Sequence, residues 1–224
     1  MGARKLYAKL KDAIHRIKRF FGRDKLFNLL RVRGLLVKRR RKYVLTTQSK
    51  HRFKKYDNKM KTFKPSKPHQ AWVADMTYLR TKESFAYLFL LTDAYSRKIV
   101  GWELSKSMGI EGALQAARMA VRQCPQTRGL LHHSDRGFQY CAPSYAGKME
   151  SIGIDMSMGE AGNCYDNAMA ERVNGILKGE YGLDATFNNI KEAFKAVREG
   201  IKDYNEQRPH WSLKLQIPAV IHVA

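Results

Sequence analysis

Cysteine is scarce in this chain. Its three residues, Cys124, Cys141 and Cys164, are an odd number, widely spaced and without a C-x-x-C pair, which argues against a disulfide framework and a zinc knuckle. A reduced intracellular compartment fits that usage. No apolar run approaches membrane-spanning length, and the N-terminus lacks an apolar stretch with a small-residue cleavage site. The expected location is therefore cytoplasmic, with no membrane partner. No G-x-S-x-G occurs, which disfavours a serine hydrolase, and there is no internal repeat. The most informative shortage is of acids near the N-terminus. Residues 1–64 hold 23 Lys and Arg against Asp12, Asp24 and Asp57 alone, whereas residues 65–224 hold 19 against 17. Of the formal +22, +20 thus lies in the first 64 residues. Solubility does not require such concentration; a polyanion partner, usually nucleic acid, explains it.

What is present is ample for a folded domain, 224 residues of which 44% are hydrophobic. Residues 4–21 place Leu6, Leu10, Ile14 and Ile17 at helical spacing on a basic segment, ended by Gly22. Asp24 offers an N-cap for a second short helix carrying Leu26, Leu29 and Leu30, with Gly34 as its stop. Two helices across a glycine turn are compatible with a helix-turn-helix over residues 1–45. Its basic cluster, Lys38, Arg39, Arg40, Arg41 and Lys42, is a candidate DNA contact. Residues 46–64 are polar, cationic and weakly patterned, and read as a linker ended by KPSKP.

From Ala71 the pattern changes to strands. WVADMTYL alternates, with Asp75 on the side of Val73, Thr77 and Leu79, and Phe85–Asp93 and Lys98–Ser105 continue an antiparallel meander. A helix through Ile110–Val121, a buried strand over Gly129–Ser134, a short helix from Pro143 and a fifth strand over Ile154–Met158 follow. A polar loop, Gly159–Asn167, then feeds a helix in which Asn167, Glu171, Asn174 and Lys178 share one face and Met169, Val173, Ile176 and Leu177 the other. One face is expected to pack on the sheet and the other to meet the chemistry. A last helix spans Ile190–Tyr204, and the proline-broken tail does not extend it. The class is α/β, a mixed five-stranded sheet with flanking helices in residues 65–224.

Three carboxylates stand out: Asp75 in the first strand, Asp135 directly after the fourth, and Glu171 in the helix, with 35 residues between the last two. Carried on two strands and one helix, they could converge as an all-oxygen site for hard divalent cations. His132 and His133 beside Asp135 alternate in direction, which favours one core and one site-lining histidine over metal ligation. Asn167 and Asn174 are candidates for positioning phosphate or water, with capping and solvation as alternatives. Glu180 falls on the opposite helical face and is left out.

WVADMTYL, TDAYSRKIVGW, HHSDRGFQY, SMGEAGNCYDNAMAERVNGILKGE and YNEQRPHWSL together resemble the integrase-core transposases of bacterial insertion sequences, relatives of retroviral integrases, of the type encoded in a second reading frame. GRDKLFNLLRVRGLLVKRRR resembles the basic helix-turn-helix-like segment preceding that core. The resemblance implies a ribonuclease H-like fold that brings Asp75 beside Asp135. It also implies that Asp75, Asp135 and Glu171 are catalytic and bind two magnesium or manganese ions, and that Lys178 contacts DNA. The implied activity is metal-dependent phosphodiester cleavage and strand transfer, with the ions serving both the attacking and the leaving oxygen. The implied partners are double-stranded DNA of the element ends and target, further copies of the chain on that DNA, and an upstream-frame product, all at the bacterial nucleoid. A DNA-holding remnant without activity and a ribonuclease H-like nuclease are the alternatives. Glu160-Ala161 departs from the basic or polar pair common in relatives. The chain also starts close to the helix-turn-helix-like segment, without the leucine zipper of a full frameshifted transposase, so a second-frame product or fragment is expected.

Overall fold

The fold is that of a computed structural model, in which the structure describes residues 2–16, 21–36, 52–160 and 167–223. Two helices, α1 (Ala3–Arg16) and α2 (Arg23–Val32), open the chain and touch one another. Of the expected apolar stripe, Leu6 and Ile14 are half-buried and Leu10 is exposed. Ile17 lies outside the described residues, as does the whole cluster Lys38, Arg39, Arg40, Arg41 and Lys42. Asp24 is not the N-cap. The helix begins earlier, with Gly22 at that position and Asp24 in the first turn, where its charge suits the helix dipole. Gly34, at φ 66°, ends α2 as expected, with Leu35 N–H reaching Leu30 O at 2.8 Å and Gly34 N–H reaching Arg31 O at 3.1 Å.

The segment read as a linker is docked where it is described. A single 3-10 turn, Lys59–Lys61, lies against the last strand of the sheet: Lys59 N–H donates to Ser157 Oγ at 3.0 Å, and Tyr56 and Met60 pack on the core. Isolated apolar residues in a cationic run carry no periodicity, which is why the segment reads as free chain.

The sheet is built from β1 (Ala71–Thr81), β2 (Phe85–Asp93), β3 (Ile99–Ser105), β4 (Leu131–Ser134), β5 (Asp155–Met158) and β6 (Thr186–Phe187). Its order is β3-β2-β1-β4-β5, with β6 also pairing β1. The meander β1-β2-β3 is antiparallel, and β4 runs parallel to both β1 and β5. The expected five strands are thus joined by a sixth, whose two residues are too few to show an alternation. Helices α3 (Ile110–Arg122), α4 (Phe138–Cys141) and α5 (Pro143–Ser151) cover one face; α6 (Ala168–Glu180) and α7 (Ile190–Gln207) cover the other. α8 (Pro218–Val223) closes the chain.

Strand alternation sends Trp72 and Ala74 into the first layer with the alanines of α3, Tyr140, Tyr145 and Met156. Leu79 goes to the second layer with Val173, Ile176, Leu177, Val197 and Tyr204. Contact between α3 and β3 is close enough that a Cβ at Gly101 would stand 2.1 Å from Ala116 O, so only glycine fits there. No helix among the described residues is long and apolar enough to cross a membrane.

Candidate active site

Asp75 and Asp135 come together because β1 and β4 are parallel and in register from Ala71 with Leu131 to Ala74 with Ser134. Asp75 is the next residue on β1 and Asp135 the next on the chain leaving β4. The end of β4 is fixed by Gly159 N–H on Ser134 O at 2.9 Å and by Arg136 Nε on Gly159 O at 2.8 Å. Asp135 Oδ1 accepts Gly137 N–H at 3.0 Å. A Cβ at Gly137 would stand 2.9 Å from that oxygen and from Gln139 Oε1, so glycine lets the backbone close on the carboxylate. An Asp followed two residues later by Gly, as in Asp135-Arg136-Gly137, is the turn signal in the sequence that marks this closure.

Glu171 sits in the first turn of α6, exposed. The helix is tied across β1 at two points: Asn167 Nδ2 donates to Ala74 O at 3.2 Å, and Asn174 Nδ2 to Asp75 Oδ2 at 2.7 Å. Asn167 holds the N-cap position of α6, but its side chain makes no capping hydrogen bond, and neither Asn is solvated, for they are only 7% and 5% exposed. The polar face of α6 thus meets Asp75, and its Asn167, Asn174 and Lys178 are buried in doing so. Between Ala74 and Arg80 no described strand pairs with β1 on the side away from β2, since β4 reaches only Ala74 and β6 begins at Arg80. The polar side of α6 fills this neighbourhood.

Burial first, and then the negative charge of Asp135, push the Asp75 carboxyl up to about 7; Glu171 adds to the rise, against hydrogen bonds from Asn174 and Met76 N–H that favour the ion. The three acids therefore share one electrostatic neighbourhood. Among the described residues, however, no three His, Cys, Asp or Glu side chains converge tightly enough to form a finished metal cluster. The donors present are carboxylate oxygens, the type that hard divalent cations prefer.

Lys178 is buried, 6% exposed, with its ammonium 4.6 Å from the Tyr78 ring centre, which rules out an ordinary solvated lysine. His132 and His133 are both fully buried. His132 Nε2 meets Tyr145 OH at 2.8 Å and His133 Nδ1 meets Ser157 Oγ at 2.9 Å. Burial holds His132 neutral, with a pKa near 4. Both are core residues, so neither lines the site. Glu180, left out of the sequence reading, receives Arg208 Nε and an Nη at 2.8 and 3.0 Å and anchors the chain after α7.

Residues 65–164 match the family described as integrase core domain, and residues 152–218 match a second family with that description. The 31 kDa protein of insertion element IS600 from Shigella sonnei is 42% identical over 200 residues, covering 88% of this chain and 74% of the relative. The transposase of IS904 from Lactococcus lactis is 31% identical over 231 residues, covering 95% and 91%. The chain spans only 60% of the Shigella sonnei IS629 transposase, to which it is 35% identical. Among solved structures, the HTLV-2 integrase catalytic core domain in complex with magnesium aligns with a TM-score of 0.56 at 20% identity, covering 71% of this chain and 99% of that one. A chain of the simian T-cell lymphotropic virus intasome aligns at 0.61 with 14% identity, covering 100% and 75%. At these identities the likeness is one of fold, the ribonuclease H-like core of retroviral integrases.

Proposed function

This chain belongs to the integrase-core transposases of bacterial insertion sequences, and on that footing we propose that it cleaves and joins DNA through Asp75, Asp135 and Glu171. The observation carrying the assignment to these residues is the parallel register of β1 and β4, which sets Asp75 beside Asp135, with α6, the helix of Glu171, bonded to Asp75 through Asn174. Asp75, Asp135 and Glu171 would hold one or two divalent cations, magnesium or manganese. Such ions lower the pKa of a bound water and stabilise the leaving 3′ oxygen. The chain's own residues set the geometry: Asn174 orients Asp75, Gly137 N–H orients Asp135, and α6, tied to Ala74 through Asn167, carries Glu171.

In the cleavage step water adds to phosphorus, the 3′ oxygen leaves with a proton, and a free 3′-OH results. In strand transfer that 3′-OH attacks a target phosphodiester, exchanging one ester for another, so no external energy source is needed. Double-stranded DNA is the proposed partner, supported by the +20 charge of residues 1–64, and the Lys38–Lys42 cluster and Lys178 are the proposed phosphate contacts. Several copies of the chain would assemble on the two element ends. Residues 1–45 would serve as a DNA anchor and residues 65–224 as the catalytic core.

The test is strand transfer of labelled element ends in magnesium. Asp75→Asn, Asp135→Asn and Glu171→Gln should each lower turnover by more than about a hundredfold, beyond the loss typical of residues that only support a ligand. End binding should stay near the parent value. Turnover retained at more than a few per cent of the parent would remove that residue from the site. Cleavage of an RNA–DNA hybrid in preference to element ends would replace the transposase reading with a nuclease.

A further inference from the structure

A cleft of about 360 Å³ lies between α1, the first turns of α6, the β2-β3 turn and the 3-10 turn Trp211–Leu213. Lys5, Arg97 and Arg172 line it, and Met169, Val173 and Ile176 give it an apolar wall. Trp211 completes it while remaining 56% exposed, unusual for so large an apolar side chain.

The backbone that carries the tryptophan is held in a closed turn. His210 N–H donates to Gln216 O at 2.9 Å and Leu215 N–H to His210 O at 2.8 Å, closing a turn in which Lys214 and Leu215 both hold positive φ, 53° and 67°. Such backbone is strained for residues with a side chain and persists where surrounding bonds enforce it. The cations, meanwhile, are crowded. Burial, then Arg208 and Arg172, lower Lys5 to about 8, against an opposing pull from Glu180. Burial together with Arg208, Lys5, Arg97 and Arg172 pushes His210 down to about 3, keeping it neutral. Glu180 is already engaged by Arg208, and among the described residues no carboxylate makes an ion pair with Lys5, Arg97 or Arg172. Even with Asp93 acting on Arg97, the cleft combines surplus positive charge with an exposed aromatic face.

We propose that this cleft binds an unpaired DNA strand, with one base stacked on Trp211 and the neighbouring phosphates against Arg172, Arg97 and Lys5. Aromatic platforms set among cations are the general means of holding single strands, because every base offers a π-face. A duplex would engage the cations but hide its base faces and leave Trp211 idle. Glu171 is not a wall of the cleft. It directly precedes Arg172, about 100° round the helix, so a strand held here runs beside the proposed catalytic acids. The choice of DNA rests on the transposase reading, whereas the binding itself requires no metal.

The experiment measures binding of the full chain to a short oligothymidylate and to a matching duplex, with a chelator present. Trp211→Ala should weaken single-strand binding about tenfold, within the range for one stacked base, and duplex binding less than about twofold. Trp211→Phe should recover most of the loss. Arg172→Ala should reduce the slope of log K against log salt for the single strand by about 0.7. Both side chains are exposed, so melting temperatures should match the parent. Equal losses on both nucleic acids, or no loss on the single strand, would overturn the proposal; so would tighter, Trp211-dependent binding of an oligouridylate. Strand-transfer activity is scored separately in magnesium, so the absence of transposition would leave this binding result standing, and the reverse also holds.

Discussion

Asn174 holds Asp75 by a 2.7 Å hydrogen bond from a helix to a strand, and this bond fixes the angle at which the carboxylate faces its neighbours. It also favours the ionised form that a metal ligand needs. Asn174→Ala should raise the magnesium concentration needed for half-maximal strand transfer by roughly 10–100-fold, the range for lost support of a ligand. A magnesium titration measures this, and an unchanged midpoint would remove Asn174 from that role.

Lys178→Met tests the buried cation. The replacement keeps most of the apolar stem packed in the second layer while deleting the charge over Tyr78. Affinity for element ends should fall and the salt slope should shrink by about 0.9, one phosphate contact on duplex DNA. Single-turnover cleavage at saturating DNA should stay within about threefold of the parent. A large loss there with full affinity would move Lys178 into the chemical step.

Arg208 and Glu180 supply a pH signature. Burial pushes the Glu180 carboxyl up, but the hydrogen bonds and charge of Arg208 outweigh it and hold the group below the ordinary glutamate value of 4.5. A depressed carboxyl adds stability above its unfolded pKa, and that contribution is lost as pH falls through the folded one. Glu180→Ala should therefore cost about 3 kcal/mol at pH 7, because it strands a buried guanidinium. The gap to the parent should close as pH drops below 4.5. Denaturant melts at several pH values check both parts, and a gap that stays constant into acid would show that Glu180 contributes by packing alone.

Much of this was legible from residue order. Alternation in WVADMTYL placed Asp75 on the side of Val73 and Leu79, the side that meets α6 and α7. Two elements escaped because of their length: four residues in α4 complete only one turn, and two in β6 complete no alternation. The burial of Asn174 and Lys178 escaped for another reason. A helical wheel ranks faces by polarity, and here the polar face is covered because β1 lacks a strand partner between Ala74 and Arg80 on one side. The histidine pair failed similarly. Tyr145 and Ser157, which satisfy His132 and His133, are 13 and 24 residues away and become neighbours only through β4 and β5.

The docked 3-10 turn divides the basic N-terminal region into two parts with different consequences. Deleting residues 1–51 should flatten the salt dependence of duplex binding while leaving thermal stability of the core within a few degrees. Deleting residues 1–64 should also lower the melting temperature, because the Lys59 bond to Ser157 and the packing of Tyr56 and Met60 go with it. Equal melting temperatures would show that this contact is incidental. Equal salt slopes for the shorter deletion and the full chain would show that residues 1–51 do not carry the DNA contact.

Within α6 only Ala168, Glu171 and Arg172 are exposed, and all three lie in its opening turns. Val173, Ile176 and Leu177 sit between the sheet and α7, like a peg seated to its head. Mutational scanning of this helix should therefore show two populations: polar substitutions of its core residues Val173, Ile176 and Leu177 that unfold the protein, and substitutions of Glu171 and Arg172 that alter activity without altering the fold.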